Sequence, residues 1–253
     1  MNEIRLRFED FETIEARNRN VIESKLANHI TIFTQLFDVQ QTLFHNHIAG
    51  IKDPYYDFSE YRIVLMQACR KNSFLLYNSH ALIVRGQYGA ANILLRQIFE
   101  FLIIGKHCST QEDDIAASKW LDNRQYNVYK SVISKLAMPI NKNINEFWKI
   151  LCNYSHATTS SNQVFLSAEI VHQEIYTAYT FLLLLLRCNY HLLNTHFIDR
   201  GLIYRCNKWY PEVKDENSLK RREAKNLKKL IANLFDKPGL KLIASYEAKW
   251  KYK

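Results

Sequence analysis

The residues best suited to chemistry in this sequence are Arg96, Glu100, Lys149, Asn153 and His156. Arg96 and Glu100 stand at i and i+4 in a strongly apolar helical stretch, so they share one helix face. Charges in apolar surroundings are costly unless paired or used. A guanidinium so placed can hold a phosphate while the carboxylate orients it. The run Phe147-Trp148-Lys149-Ile150-Leu151-Cys152-Asn153-Tyr154-Ser155-His156 leaves an imidazole where a helix gives out, flanked by Thr158, Thr159 and Ser160. A cation, amide and hydroxyl groups, and a group that moves protons near pH 7, are what phosphoryl chemistry needs. The plainer alternatives are an Arg96–Glu100 ion pair that locks helix packing and a hydrogen-bonded structural histidine.

Helices must position these groups. Only 6 Gly and 4 Pro occur in 253 residues. An all-β chain needs turn residues every ~8–12 positions, which this one lacks. Apolar residues make up 47%, enough for a sizeable core. The expected fold is all-α. Three- and four-residue apolar steps predict a long helix over 8–48, broken once at most and ended by Gly50 and Pro54. A second helix starts behind Ser59 as N-cap and runs to about Val84, with Gly86 and Gly89 marking a bend. A third, 89–107, is apolar nearly all round and is expected to be central. A fourth spans 110–136 behind Thr110, with Asp113 and Asp114 in its first turn. Pro139 and the Asn-rich run 141–145 read as a linker, 144–155 as a short helix, 156–162 as a loop and 163–198 as a long helix. Within that last helix Phe181–Leu186 is solidly apolar but too short for a bilayer, so a buried central helix is expected.

The net charge of +9 is local. Residues 1–199 hold 19 basic and 19 acidic side chains, whereas residues 200–253 hold 15 basic and 6 acidic. A helix over 216–235 carries Lys220, Arg221, Arg222, Lys225, Lys228 and Lys229 opposite a stripe of Leu219, Leu227, Leu230, Ile231 and Leu234. Such a face attracts polyanions by neutralising phosphates, or it is simply a solvated surface. The division expected is an N-terminal helical segment over 1–56, a bundle over 57–200 and a basic helical extension over 201–253.

The 5 cysteines are scattered, with no Cys-x-x-Cys pair. Neither zinc nor a disulfide framework is expected, and a reducing, cytoplasmic compartment fits. Glu169-Ile170-Val171-His172 is half of a di-iron motif with no second half in the sequence, so no metal and no cofactor is expected. Arg187 and His191 form a further i, i+4 pair, read as polar residues at the end of a buried stripe.

The segment Leu94-Leu95-Arg96-Gln97-Ile98-Phe99-Glu100, followed by Trp148-Lys149-Ile150-Leu151-Cys152-Asn153-Tyr154-Ser155-His156, resembles the HEPN superfamily (higher eukaryotes and prokaryotes nucleotide-binding), especially its uncharacterised bacterial branch. The likeness covers about residues 60–200 and rests on short, degenerate motifs. It implies an up-and-down helical bundle. It also implies a metal-independent ribonuclease of a toxin, antiphage or RNA-processing system, often with a site shared across a dimer. The family signature is an Arg, four to six residues, then a His. Here Lys149 and His156 have the spacing, but Lys replaces Arg, and Ile150 stands where a polar residue is common. Lysine offers a point charge without the bidentate fork. Arg96 is a candidate to supply the missing guanidinium. The expected partners are RNA, further copies in a homodimer or larger oligomer, and a partner protein of a defence or toxin system. No membrane partner is expected. The alternative is a non-catalytic module of the same fold that docks a protein through its basic tail.

Overall fold

The computed structural model describes residues 8–44, 59–111, 114–122, 132, 140–155 and 172–193. Among them are seven helices and no strand, so the fold is all-α. The helices are α1 (Phe8–Lys25), α2 (Ala27–Phe44), α3 (Glu60–Val84), α4 (Tyr88–Gln111), α5 (Asp114–Leu121), α6 (Ile140–Ser155) and α7 (His172–Leu193). No described helix is long and apolar enough to cross a membrane.

The first expected helix is broken at Leu26, and the ladder runs through the break. Leu26 N–H donates to the Ile22 carbonyl at 2.8 Å, and Ile30 N–H donates to the Leu26 carbonyl at 2.8 Å. The two halves reach different neighbours: α1 packs on α3, and α2 packs on α7. Ile22, Leu26, Ile32 and Phe33 belong to the same buried cluster as the later helices.

Ser59 occupies the N-cap of α3, but its hydroxyl makes no capping bond; its carbonyl accepts from the Arg62 and Ile63 N–H groups of the first turn. At the other end Gly86 N–H donates to the Ile83 carbonyl at 2.9 Å and Gln87 N–H to the Leu82 carbonyl at 2.8 Å. This is a Schellman closure, and it needs a left-handed residue at the Gly86 position. Gly86 has φ +84°, and a Cβ there would sit 2.8 Å from Asn18 Nδ2 on α1. The three-residue link turns α4 back along α3, the most extensive helix pair in the bundle. Gly89, expected at the bend, lies inside α4.

Helix α4 packs against α3, α5, α6 and α7, as its all-round apolarity requires. Leu95, Ile98, Leu102 and Ile103 are fully buried on it. Gly105 brings α4 close to its neighbours: a Cβ there would meet Leu192 at 3.2 Å and Leu65 at 3.3 Å. Helix α7 is the other interior rod. Every residue from Phe181 to Leu186 is buried, each such side chain contributing ~1.5–3 kcal/mol to burial.

Three boundaries differ from the sequence expectation. Helix α4 continues to Gln111, so Thr110 is inside it rather than capping the next helix, and α5 begins at Asp114. A cap signal is local, and here the helix already running kept its ladder through Thr110. Helix α6 begins at Ile140, so the Asn-rich run 141–145 is helical and not a linker. Asparagine is a weak helix former, and packing of the helix overrides that weak preference. Of the expected helix over 123–136 only Val132 is described, a buried residue in a turn, and the expected helix over 163–171 and 194–198 and the whole basic extension lie outside the described residues.

Candidate functional site

The site is a seam between α4 and α6, built from two helical i, i+4 pairs. On α4, Arg96 Nε donates to Glu100 Oε1 at 3.2 Å. On α6, Trp148 and Cys152 have the same spacing. The Arg96 guanidinium lies over the Trp148 ring, 5.0 Å from its centroid. Below the charged layer, Phe99 packs edge-on to Phe147 at 5.0 Å, and Phe147 packs edge-on to Phe181 of α7 at 5.2 Å. The aromatic column ties the seam to the bundle interior and fixes how α6 lies on α4.

The electrostatics follow from partial burial. The Arg96 and Glu100 side chains are 25% and 28% exposed, so they are neither free in water nor sealed from it. Burial raises the Glu100 pKa, and the charge and hydrogen bond of Arg96 oppose the rise. The Cys152 thiol is raised by burial, lowered by Arg96 and raised again by Glu100, which places all three in one electrostatic neighbourhood. A thiol held up in this way is a poor nucleophile.

Lys149 and Asn153 occupy exposed positions on α6, one residue beyond Trp148 and Cys152 respectively. The structure thus brings Arg96 and Glu100 together with α6, and it puts Lys149 and Asn153 on the outer side of that helix. His156 follows the last residue of α6 and lies outside the described residues, as do Lys220, Arg221, Arg222, Lys225, Lys228 and Lys229.

Trp148 and Cys152 had no assigned role in the sequence reading. The signal that could have found them is the matching i, i+4 spacing of 96/100 and 148/152 on two helices that carry the candidate groups.

Two other polar places are built into the bundle. His80 Nδ1 shares a 2.9 Å hydrogen bond with the Tyr179 hydroxyl. Phe33 stacks on the His80 ring at 4.5 Å, and His29 meets Tyr179 edge-on at 6.2 Å. Burial pulls His80 down to about 4; Glu23 opposes the fall and Arg19 adds to it, both more weakly than burial. Burial also lowers His29 and raises Tyr179. These groups are therefore neutral near pH 7 and act as polar core.

The second place holds Arg187 of the i, i+4 pair noted above. Burial pulls Arg187 down to about 10 and Lys106 of α4 down to about 8. Both act electrostatically on Cys188, whose thiol burial pushes up to about 12 against their influence. The adjacent Asn189 is fully buried and accepts from Asn72 Nδ2 of α3 at 3.1 Å. The His191 side chain lies outside what is described.

Among the described residues no group of three or more His, Cys, Asp or Glu side chains could hold a metal ion. No protein-family model, curated protein or solved structure matches this chain.

Proposed function

We propose that this protein acts on RNA as a HEPN-like, metal-independent endoribonuclease, the effector of a bacterial defence or toxin system. The observation that carries the reading is the partly exposed Arg96–Glu100 pair, seated against the helix that bears Lys149 and Asn153 and leads directly to His156. In this chemistry the 2′-hydroxyl attacks the adjacent phosphorus, the P–O5′ bond breaks, and a 2′,3′-cyclic phosphate and a 5′-hydroxyl result. His156 accepts the 2′ proton and returns a proton to the departing 5′ oxygen. Lys149 and Arg96 stabilise the charge that builds on the phosphorane oxygens. Glu100 orients Arg96, and Asn153 donates to a phosphate oxygen. The basic residues over 216–235 add phosphate contacts that read no sequence.

RNA cleavage by the full chain in EDTA, beside His156→Ala, tests this, with analysis of the product ends. Cyclic phosphate ends formed by the wild type and absent from the variant support the reading. A folded protein that binds RNA without cutting it sinks the ribonuclease.

The second reading is a non-catalytic module of the same class. It is favoured by the Arg96 guanidinium already being bonded to Glu100 and stacked on Trp148, an arrangement suited to clamping two helices. On that reading the basic tail docks a protein or holds an oligomer. Removal of residues 214–253 then changes the elution volume on size exclusion and leaves any RNA affinity unchanged.

A further inference from the structure

The outward face of α3 exposes two large aromatic side chains. Phe74 is 64% exposed and Tyr77 is 58% exposed, one helical turn apart. Arg70, Lys71, Asn78 and Arg85 are exposed on the same side of the chain segment. Phe37 of α2 supports Tyr77 from one flank, with ring centroids 6.4 Å apart. On the other flank the Lys71 ammonium sits 5.1 Å from both the Phe101 and Trp120 ring centroids. From Arg70 to Arg85 the strip is about 22 Å long.

Charge decides what such a strip fits. From Tyr61 to Phe99 the chain contains no carboxylate, while Arg62, Arg70, Lys71, Arg85 and Arg96 are all cationic. The balanced total over residues 1–199 hides this local excess. Exposed carboxylates occur on the neighbouring segments, Asp38 on α2 and Asp122 just after α5. Two copies of this face would oppose cation to cation, which disfavours self-association through it. A polyanion with flat apolar groups satisfies both features at once. Duplex RNA keeps its bases stacked inside, whereas unpaired bases are free to lie on aromatic rings.

We infer that the outer face of α3 is a binding strip for single-stranded RNA, in which Phe74 and Tyr77 stack on bases while Arg70 and Arg85 neutralise phosphates. The inference rests on the RNA reading above and deepens it, but it does not require the α4–α6 seam to cut. It assigns strand capture to α3, on rigid scaffold, rather than to the basic residues over 216–235 alone.

The experiment is a fluorescence-anisotropy titration of the full chain with a labelled 2′-O-methyl oligouridine, which lacks the attacking hydroxyl, over a series of KCl concentrations. Wild type, Arg70→Ala, Phe74→Ala and Phe74→Trp are compared, each checked for native helicity by circular dichroism. The expected results are affinity about tenfold weaker for Phe74→Ala at an unchanged salt slope, and recovery in Phe74→Trp. Arg70→Ala is expected to reduce the slope of log affinity against log salt by about 0.7. Wild-type binding that neither Phe74→Ala nor Arg70→Ala alters overturns the strip and leaves the RNA reading standing on other contacts. No binding by wild type overturns both. A concentration-dependent dimer that Phe74→Ala abolishes, with no RNA binding, reassigns the face to contact between copies.

Discussion

The guanidinium of Arg96 stands 5.0 Å above the ring of Trp148 while its Nε is bonded to Glu100. One side chain of α4 therefore meets both a carboxylate of its own helix and an aromatic of α6. Stacking of this kind contributes about 0.5–2 kcal/mol, more as the pair loses water. The exposed part of the ion pair adds about 0–1 kcal/mol. The clasp is therefore a modest structural element, and Arg96 can leave it at low cost to meet a phosphate.

Arg96→Ala is expected to lower unfolding free energy by about 1–2 kcal/mol in urea. Arg96→Lys keeps the charge but loses the planar stack and falls between the two. A double-mutant cycle with Trp148→Leu isolates the pair. A coupling energy near zero would show that the two side chains are neighbours without mutual stabilisation.

Lys149 separates catalysis from packing. It is exposed, so Lys149→Ala is expected to change stability by no more than about 0.5 kcal/mol. RNA cleavage, measured under the EDTA conditions described above, is expected to fall at least ~100-fold if its charge meets the phosphorane. Cleavage at the wild-type rate would remove Lys149 from the site.

His80 and Glu100 give stability opposite pH slopes. The folded state holds His80 at about 4, below its ordinary 6.5, so the unfolded chain takes up the proton first as pH falls. This contribution is complete above pH 6.5 and is lost as pH drops toward 4. Glu100 is raised in the folded state, so the folded chain keeps that proton longer; its contribution is present at low pH and is lost as pH rises through the raised value. Urea midpoints between pH 7 and 4.5 are expected to decline, less steeply in His80→Gln and more steeply in Glu100→Gln. Parallel curves for wild type and His80→Gln would mean that His80 protonates in place.

The Asn72–Asn189 bond crosses from α3 to α7 between two fully buried side chains. Asn189→Leu is expected to cost about 1–3 kcal/mol, because it strands the Asn72 amide away from water. Asn72→Leu with Asn189→Leu is expected to recover part of that loss, since no polar group is then left unmatched. Calorimetric melting of the three variants measures this. A double variant less stable than either single one would point to overpacking instead.

Helix identity was legible in the chain because periodicity is a local property. Scarce glycine and proline, the apolar steps over 8–48, the all-round apolarity of α4 and the run Phe181–Leu186 each state a rod and how much of it is covered. Ser59, Val84 and Gly86 marked ends that the backbone uses. Boundaries over 110–145 were not legible, because Thr110 and the asparagines favour caps and turns only weakly and helix packing outweighs them. The pairing of Arg96 with Glu100 followed from spacing alone. That Trp148 completes it was a matter of which face α6 turns to α4, and nothing near residue 96 encodes that choice. The same holds for His80 with Tyr179, for Asn72 with Asn189, and for the exposure of Phe74 and Tyr77. By itself the sequence determined the all-α class and which side chains carry charge. The tertiary structure decided which of those side chains meet and which are left facing water, because helix packing joins residues far apart in the chain through contacts that no local pattern records.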